Sequence, residues 1–134
     1  KIINKVQIMS AEAMRKLEGQ LKELTLKQEP GENVETFCNK IREIAGKLDQ
    51  GPTYKPVNLN LLVAEKFIHS SVEAFRILAI LIYSVVQKDL QAYEWRSILK
   101  EHTSKYISLV GTDLWTPLKT QDNNTSGDPL YQYK

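Results

Sequence analysis

Two histidines, one cysteine, two closely spaced glutamates and a set of lysines are the residues of this sequence that could do chemistry. His69, His102 and Cys38 could ligate a metal or form a nucleophile–base pair. They lie far apart in sequence, however, without the short spacings that bring zinc ligands together. His69 falls at a helix end and His102 within a helix, so a structural or exposed role outweighs a ligand role for both. Cys38 adjoins an apolar stripe and reads as a small buried hydrophobe rather than a nucleophile. Glu32 and Glu35 could be an acid–base pair. Both open a helix, though, where the dipole favours negative charge, and that is their expected role. No G-x-x-x-x-G-K-S/T, G-x-G-x-x-G or G-x-S-x-G pattern occurs, so phosphate cradles and serine-hydrolase elbows have no support. The expectation is a protein that is not an enzyme, with no catalytic residue, metal, cofactor or small-molecule substrate.

The cations suggest a different activity. Lys5, Arg15, Lys16, Lys22 and Lys27 make the N-terminal part basic and would be the RNA contacts, read by the salt dependence of phosphate binding. Residues 1–28 carry six Lys or Arg against three Glu, whereas residues 29–50 carry five acids against three bases. The overall charge of +2 is small, and nucleic-acid-binding domains usually show a basic stripe. At 134 residues, 42% hydrophobic and 25% charged, the chain has the composition of one ordinary globular domain. Within its most apolar stretch, Ile77 to Tyr83 carries no charge, and such a run is far short of the about 20 residues that cross a bilayer. One cysteine excludes an internal disulfide and suits a reducing, cytoplasmic setting. The chain begins with Lys1 and shows no signal peptide, as expected of a piece of a longer product.

Helices must position these groups. Met14, Leu17, Leu21 and Leu24 repeat at helical spacing after Ser10, a candidate N-cap. Lys1–Met9 leans to helix. Lys27–Leu48 reads as a polar turn, broken by Pro30 and Gly31, that launches a helix capped by Asn33. On that helix Val34, Phe37, Ile41, Ile44 and Leu48 form one apolar stripe. Residues 49–56 form a Pro-rich loop. Asn58 then caps a helix running through Leu59, Leu62, Val63, Phe67 and Ile68 and stopping near His69. Ser70-Ser71-Val72-Glu73 fits a capping box. Val72–Val86 follows as a mostly buried helix with Phe75, Leu78, Ile82 and Val85 on one face. Tyr93–Val110 is the last helix, with Gly111 placed as its C′ residue. Leu114-Trp115-Thr116-Pro117 could fold back as an apolar clamp, and a polar tail follows.

The turn and helix also resemble the helix-opening segment of retroelement Gag capsid domains, the major homology region of retroviruses. They fit the looser "KxxPGEsVxxF…RxxxLxxxL" form found in LTR retrotransposons. Gln28, Gly31, Glu32, Val34, Phe37, Ile41, Arg42 and Leu48 carry the likeness, and SSVEAF, YEWRSIL and LVGTDLWTP extend it over about residues 10–118. Glu29 stands where the retroviral form has glycine, and Lys40 where it has arginine. In that family the glutamine, acid and arginine tie turn to helix, and lysine lacks arginine's planar two-pronged donor.

The resemblance implies an all-α fold, a small bundle of about five helices. Residues 1–26 would be a lead-in helical segment, 27–111 a capsid-like core and 112–134 a polar tail. It also implies a Gag-like structural protein that self-associates into a particle packaging retroelement RNA, with RNA held mainly by regions outside this segment. Phe37, Ile41 and Leu48 are expected to organise the core, and some of Tyr83, Val86, Tyr93 and Trp95 to serve contacts between subunits. The alternative is a helical adaptor that binds a partner helix in a groove.

Overall fold

Periodic apolar positions at three- and four-residue spacing dominate this chain, and those among the described residues fold mainly as helices. The computed structural model describes residues 11–50, 56 and 58–118. Among them are five α-helices and no strand: α1 (Ala11–Glu23), α2 (Val34–Asp49), α3 (Leu59–Glu65), α4 (Glu73–Lys88) and α5 (Trp95–Gly111). Two short 3-10 turns, Leu26–Gln28 and Pro30–Glu32, join α1 to α2. The protein is thus an all-α small bundle. α1 packs on α2, α2 on α5, and α3 lies against both α4 and α5.

Four residues of the α2 stripe close the core as their spacing predicts: Val34, Phe37, Ile41 and Leu48 are fully buried, while Ile44 is half-buried and Ala45 beside it faces the core instead. Met14 and Leu21 of α1 join the same cluster, so the lead-in segment shares the one core. Asn33 caps α2 by accepting from the Thr36 N–H at 3.2 Å. At the centre lies an aromatic group. Phe67 meets Phe37 edge-on at 5.6 Å and stacks flat on His102 at 4.0 Å, while Phe75 meets Phe67 and His102 edge-on.

Four local expectations differ from the structure. α3 ends at Glu65 rather than near His69, because the chain turns at Lys66. That turn sends Phe67 into the core and brings Lys66 Nζ to the carbonyls of Lys22 and Leu24 at 2.8 and 3.0 Å. No capping box opens α4. Val72 holds the cap position with no side-chain bond to it, and Ser70, which accepts from the Val72 N–H at 3.1 Å, gives its own proton to Glu32.

The buried face of α4 is Phe75, Ala79, Ile82 and Val86, with Leu78 half-buried and Val85 exposed. Finally, Gly111 stays helical. Asp113 takes the C′ place at φ 60°, its N–H bonded to the Val110 carbonyl and that of Leu114 to the Leu109 carbonyl. This is the paired bonding of a Schellman motif, with aspartate where glycine is usual. The Lys1–Met9 segment, the Ser10 cap and most of the 49–56 loop lie outside the described residues.

Candidate functional site

Gly31 adopts φ 63°, which a Cβ would strain, and Glu32 follows at φ 50°. Two left-handed residues in a row reverse the chain ahead of α2 and turn both neighbouring acids inward. Glu29 and Glu32 are almost wholly buried. The Glu29 carboxylate accepts from the Thr36 hydroxyl at 3.0 Å and from Lys40 Nζ at 2.7 Å. Lys40 therefore ties the turn to α2, and its partners are Glu29 and, through it, Thr36. Gln28 is exposed on the first 3-10 turn, and Arg42 is exposed and donates to Asn39 at 2.8 Å.

Glu32 does not serve the opening of α2, as the dipole argument expects. Its carboxylate accepts from the Ser70 hydroxyl at 2.8 Å, from the Ser71 N–H at 3.3 and 3.4 Å, and from the Ser71 hydroxyl. It sits instead just ahead of α4, where free N–H groups and the positive end of the dipole stabilise an anion. Glu35, exposed in the first turn of α2, keeps the expected placement. Local sequence contains no signal for the Glu32–Ser70–Ser71 connection. The apolar clamp does fold back: Trp115 packs edge-on against Phe75 at 5.2 Å and Tyr106 at 4.7 Å, and its indole N–H donates to the Gly31 carbonyl at 2.9 Å. The Leu118 N–H reaches the Ser71 hydroxyl at 2.8 Å.

Of the expected contact residues, Val86 and Trp95 are buried in the chain's own core. Tyr83 and Tyr93 are half-buried against that core. The exposed apolar surface lies elsewhere on α4, at Ile77 (60% exposed), Ile80 (46%), Leu81 (60%) and Val85 (37%). At about 100° per residue these four span roughly 140° of the helix, opposite the buried face. Glu73 and Lys88, both exposed, stand at the two ends of the same face. On α5, Ile107 and Val110 are also exposed.

The cationic residues divide. Lys22 and Lys27, with Lys66 and His69, edge a cleft of about 390 Å³ floored by Leu24 and Leu26, and Lys22 pairs with Glu18 at 3.4 Å. Arg15 and Lys16 are exposed on α1. Lys5 lies outside the described residues.

The reactive side chains are embedded. Burial pushes the Cys38 thiol up, against a smaller opposing effect of the Thr103 hydroxyl, which donates to its sulfur at 3.4 Å. A protonated, enclosed thiol is a poor nucleophile. Burial brings His102 down to about 4, with the Ile98 carbonyl acting weakly the other way. That carbonyl, 2.7 Å from Nδ1, can only accept, so Nδ1 carries the proton of the neutral ring. His102 Nε2 and Trp95 Nε1 are buried without a hydrogen-bond partner. Among the described residues no group of His, Cys, Asp and Glu could hold a metal ion, and no helix is long and apolar enough to cross a membrane. No protein-family model, curated protein or solved structure matches the chain.

Proposed function

We propose that this chain is a non-enzymatic, Gag-like structural protein whose work is to associate with copies of itself. The observation that carries the reading is the α4 surface of Ile77, Ile80, Leu81 and Val85, a continuous apolar stripe left in water by a helix whose opposite side is already in the core. A contiguous apolar surface of this kind marks an interaction site.

Its end charges favour a second copy as the occupant. With Glu73 at one end and Lys88 at the other, two α4 helices laid antiparallel about a two-fold axis place each acid opposite the partner's base. Such a contact is self-complementary, as a two-fold interface must be. Weak contacts of this sort gain strength by avidity in a larger assembly. In a retroelement setting, which the motif turn suggests, the assembly would be a cytoplasmic particle, with RNA bound mainly by segments outside this one.

Charge reversal tests the reading. Glu73→Lys and Lys88→Glu each weaken association, and the double exchange restores it, as followed by sedimentation velocity across a concentration series. Association that ignores all three variants would contradict it. A second reading, an adaptor holding a partner's helix, rests on the Leu24–Leu26 cleft. Binding of one foreign helix at fixed stoichiometry, without higher assembly and weakened by Lys27→Glu at the exposed edge of the cleft, would favour it.

A further inference from the structure

Residues 114–118 form a strap that leaves the end of α5, crosses Tyr106 and Phe75, and finishes against Ser71 at the start of α4. Its anchor is Trp115, held by two edge-on aromatic contacts and by its bond to the Gly31 carbonyl. The slot that receives it is built from three separate elements: the Pro30–Glu32 turn, the opening of α4 and the middle of α5. The strap is joined to the rest of the fold through Thr112 and Asp113 alone, and Asp113 holds the reversal in the left-handed region at φ 60°. The Cβ there crowds the following carbonyl, a cost smaller for aspartate than for most residues and absent for glycine.

We propose that this strap is an exchangeable connector, and that the slot of one copy accepts the Trp115–Leu118 strap of another. The inference rests on the self-association reading and names an element that links the copies. Every contact in the slot is reproduced when the strap comes from a partner, since the two sequences are identical. The balance between closed and exchanged forms then lies in the hinge and in concentration. Opening the hinge gives up the two capping bonds of Asp113 and Leu114, but it releases Asp113 from its left-handed conformation and lets α5 continue with helical bonds in their place, so the strain of the closed form works toward exchange. Leu114 and Leu118 flank the anchor and are exposed, so neither must be stripped from a core for the strap to leave.

The test mixes full-length Ser71→Cys chains with Leu118→Cys chains at high concentration under mild oxidation. Cys38 is enclosed and does not compete. Exchange gives a disulfide-linked heterodimer between the two kinds of chain. Asp113→Ala, which is worse than aspartate in the left-handed region and better in a helix, raises its yield, while Asp113→Gly lowers it, each by about fivefold.

Trp115→Ala removes the linked species. The inference is overturned if the disulfide forms only when both cysteines share one chain while the protein still assembles, and the self-association reading then stands. A chain that is monomeric in every variant overturns both. Should Ser71→Cys not fold, the dimer fractions of Asp113→Ala and Asp113→Gly decide by themselves: opposite shifts support exchange, and equal fractions overturn it.

Discussion

The Glu32 carboxylate accepts the Ser70 hydroxyl at 2.8 Å, across thirty-eight residues of sequence. This bond joins the turn that opens α2 to the residues that open α4. Replacing Glu32 by alanine leaves buried hydroxyl and amide donors without an acceptor, at a net loss of about 2 kcal/mol. Glu32→Gln keeps an acceptor and loses about half as much. Ser70→Ala combined with Glu32→Ala costs less than the sum of the two single changes, because both remove the same bond. Urea unfolding of the four proteins measures this coupling, and strict additivity would show the pair to be independent.

His102 makes stability depend on pH. Its folded pKa is about 4 against an ordinary 6.5, so between those values the unfolded chain binds a proton that the folded chain refuses. Stability is therefore full above about pH 6.5 and falls on acidification, by about 3 kcal/mol when pH 4 is reached. His102→Phe removes this part of the slope. Chemical denaturation at pH 7.5, 5.5 and 4.5 measures it, and a wild-type slope no steeper than the variant's would contradict the burial argument.

Gly19 lies in the middle of α1, and a Cβ built there meets nothing within 4 Å. Gly19→Ala is accordingly expected to stabilise the protein by about 1 kcal/mol, since alanine loses less backbone freedom in a helix. Gly31→Ala carries the opposite sign, because Gly31 sits at φ 63°. Thermal unfolding of the two variants reads both signs, and a loss of stability in Gly19→Ala would contradict the open space on that face.

The sequence made some of this legible and hid the rest for definable reasons. Val34, Phe37, Ile41 and Leu48 declare the buried face of α2 because their spacing is local and the opposite side is charged. α4 gives no such contrast. Ile77, Ile80 and Leu81 are as apolar as Ala79, Ile82 and Val86, so periodicity finds the helix but not the side that faces the core. That ambiguity puts Val85 on the buried face, where the structure exposes it and buries Val86.

Gly111 has the residue type of a helix stop, yet the stop falls two residues later on Asp113, decided by the return of Trp115 over Phe75 and Tyr106. The fold-back of Leu114-Trp115 itself is readable from two large apolar residues in a polar stretch. The partners of Glu29 and Glu32 are not equally accessible. Lys40 lies on the next helix in sequence, whereas Ser70 and Ser71 are brought up only by the tertiary fold.

Self-association through the outer face of α4 is tested most directly by sedimentation velocity of the Ile77→Glu/Leu81→Glu double variant beside the wild type, from micromolar to millimolar concentration. Both positions are 60% exposed, so folding stability should change by no more than about 0.5 kcal/mol per site. The expected result is a wild type whose mean mass climbs with concentration and a folded double variant that stays monomeric. A wild type that remains monomeric at millimolar concentration, or a folded double variant that assembles equally well, would contradict the account.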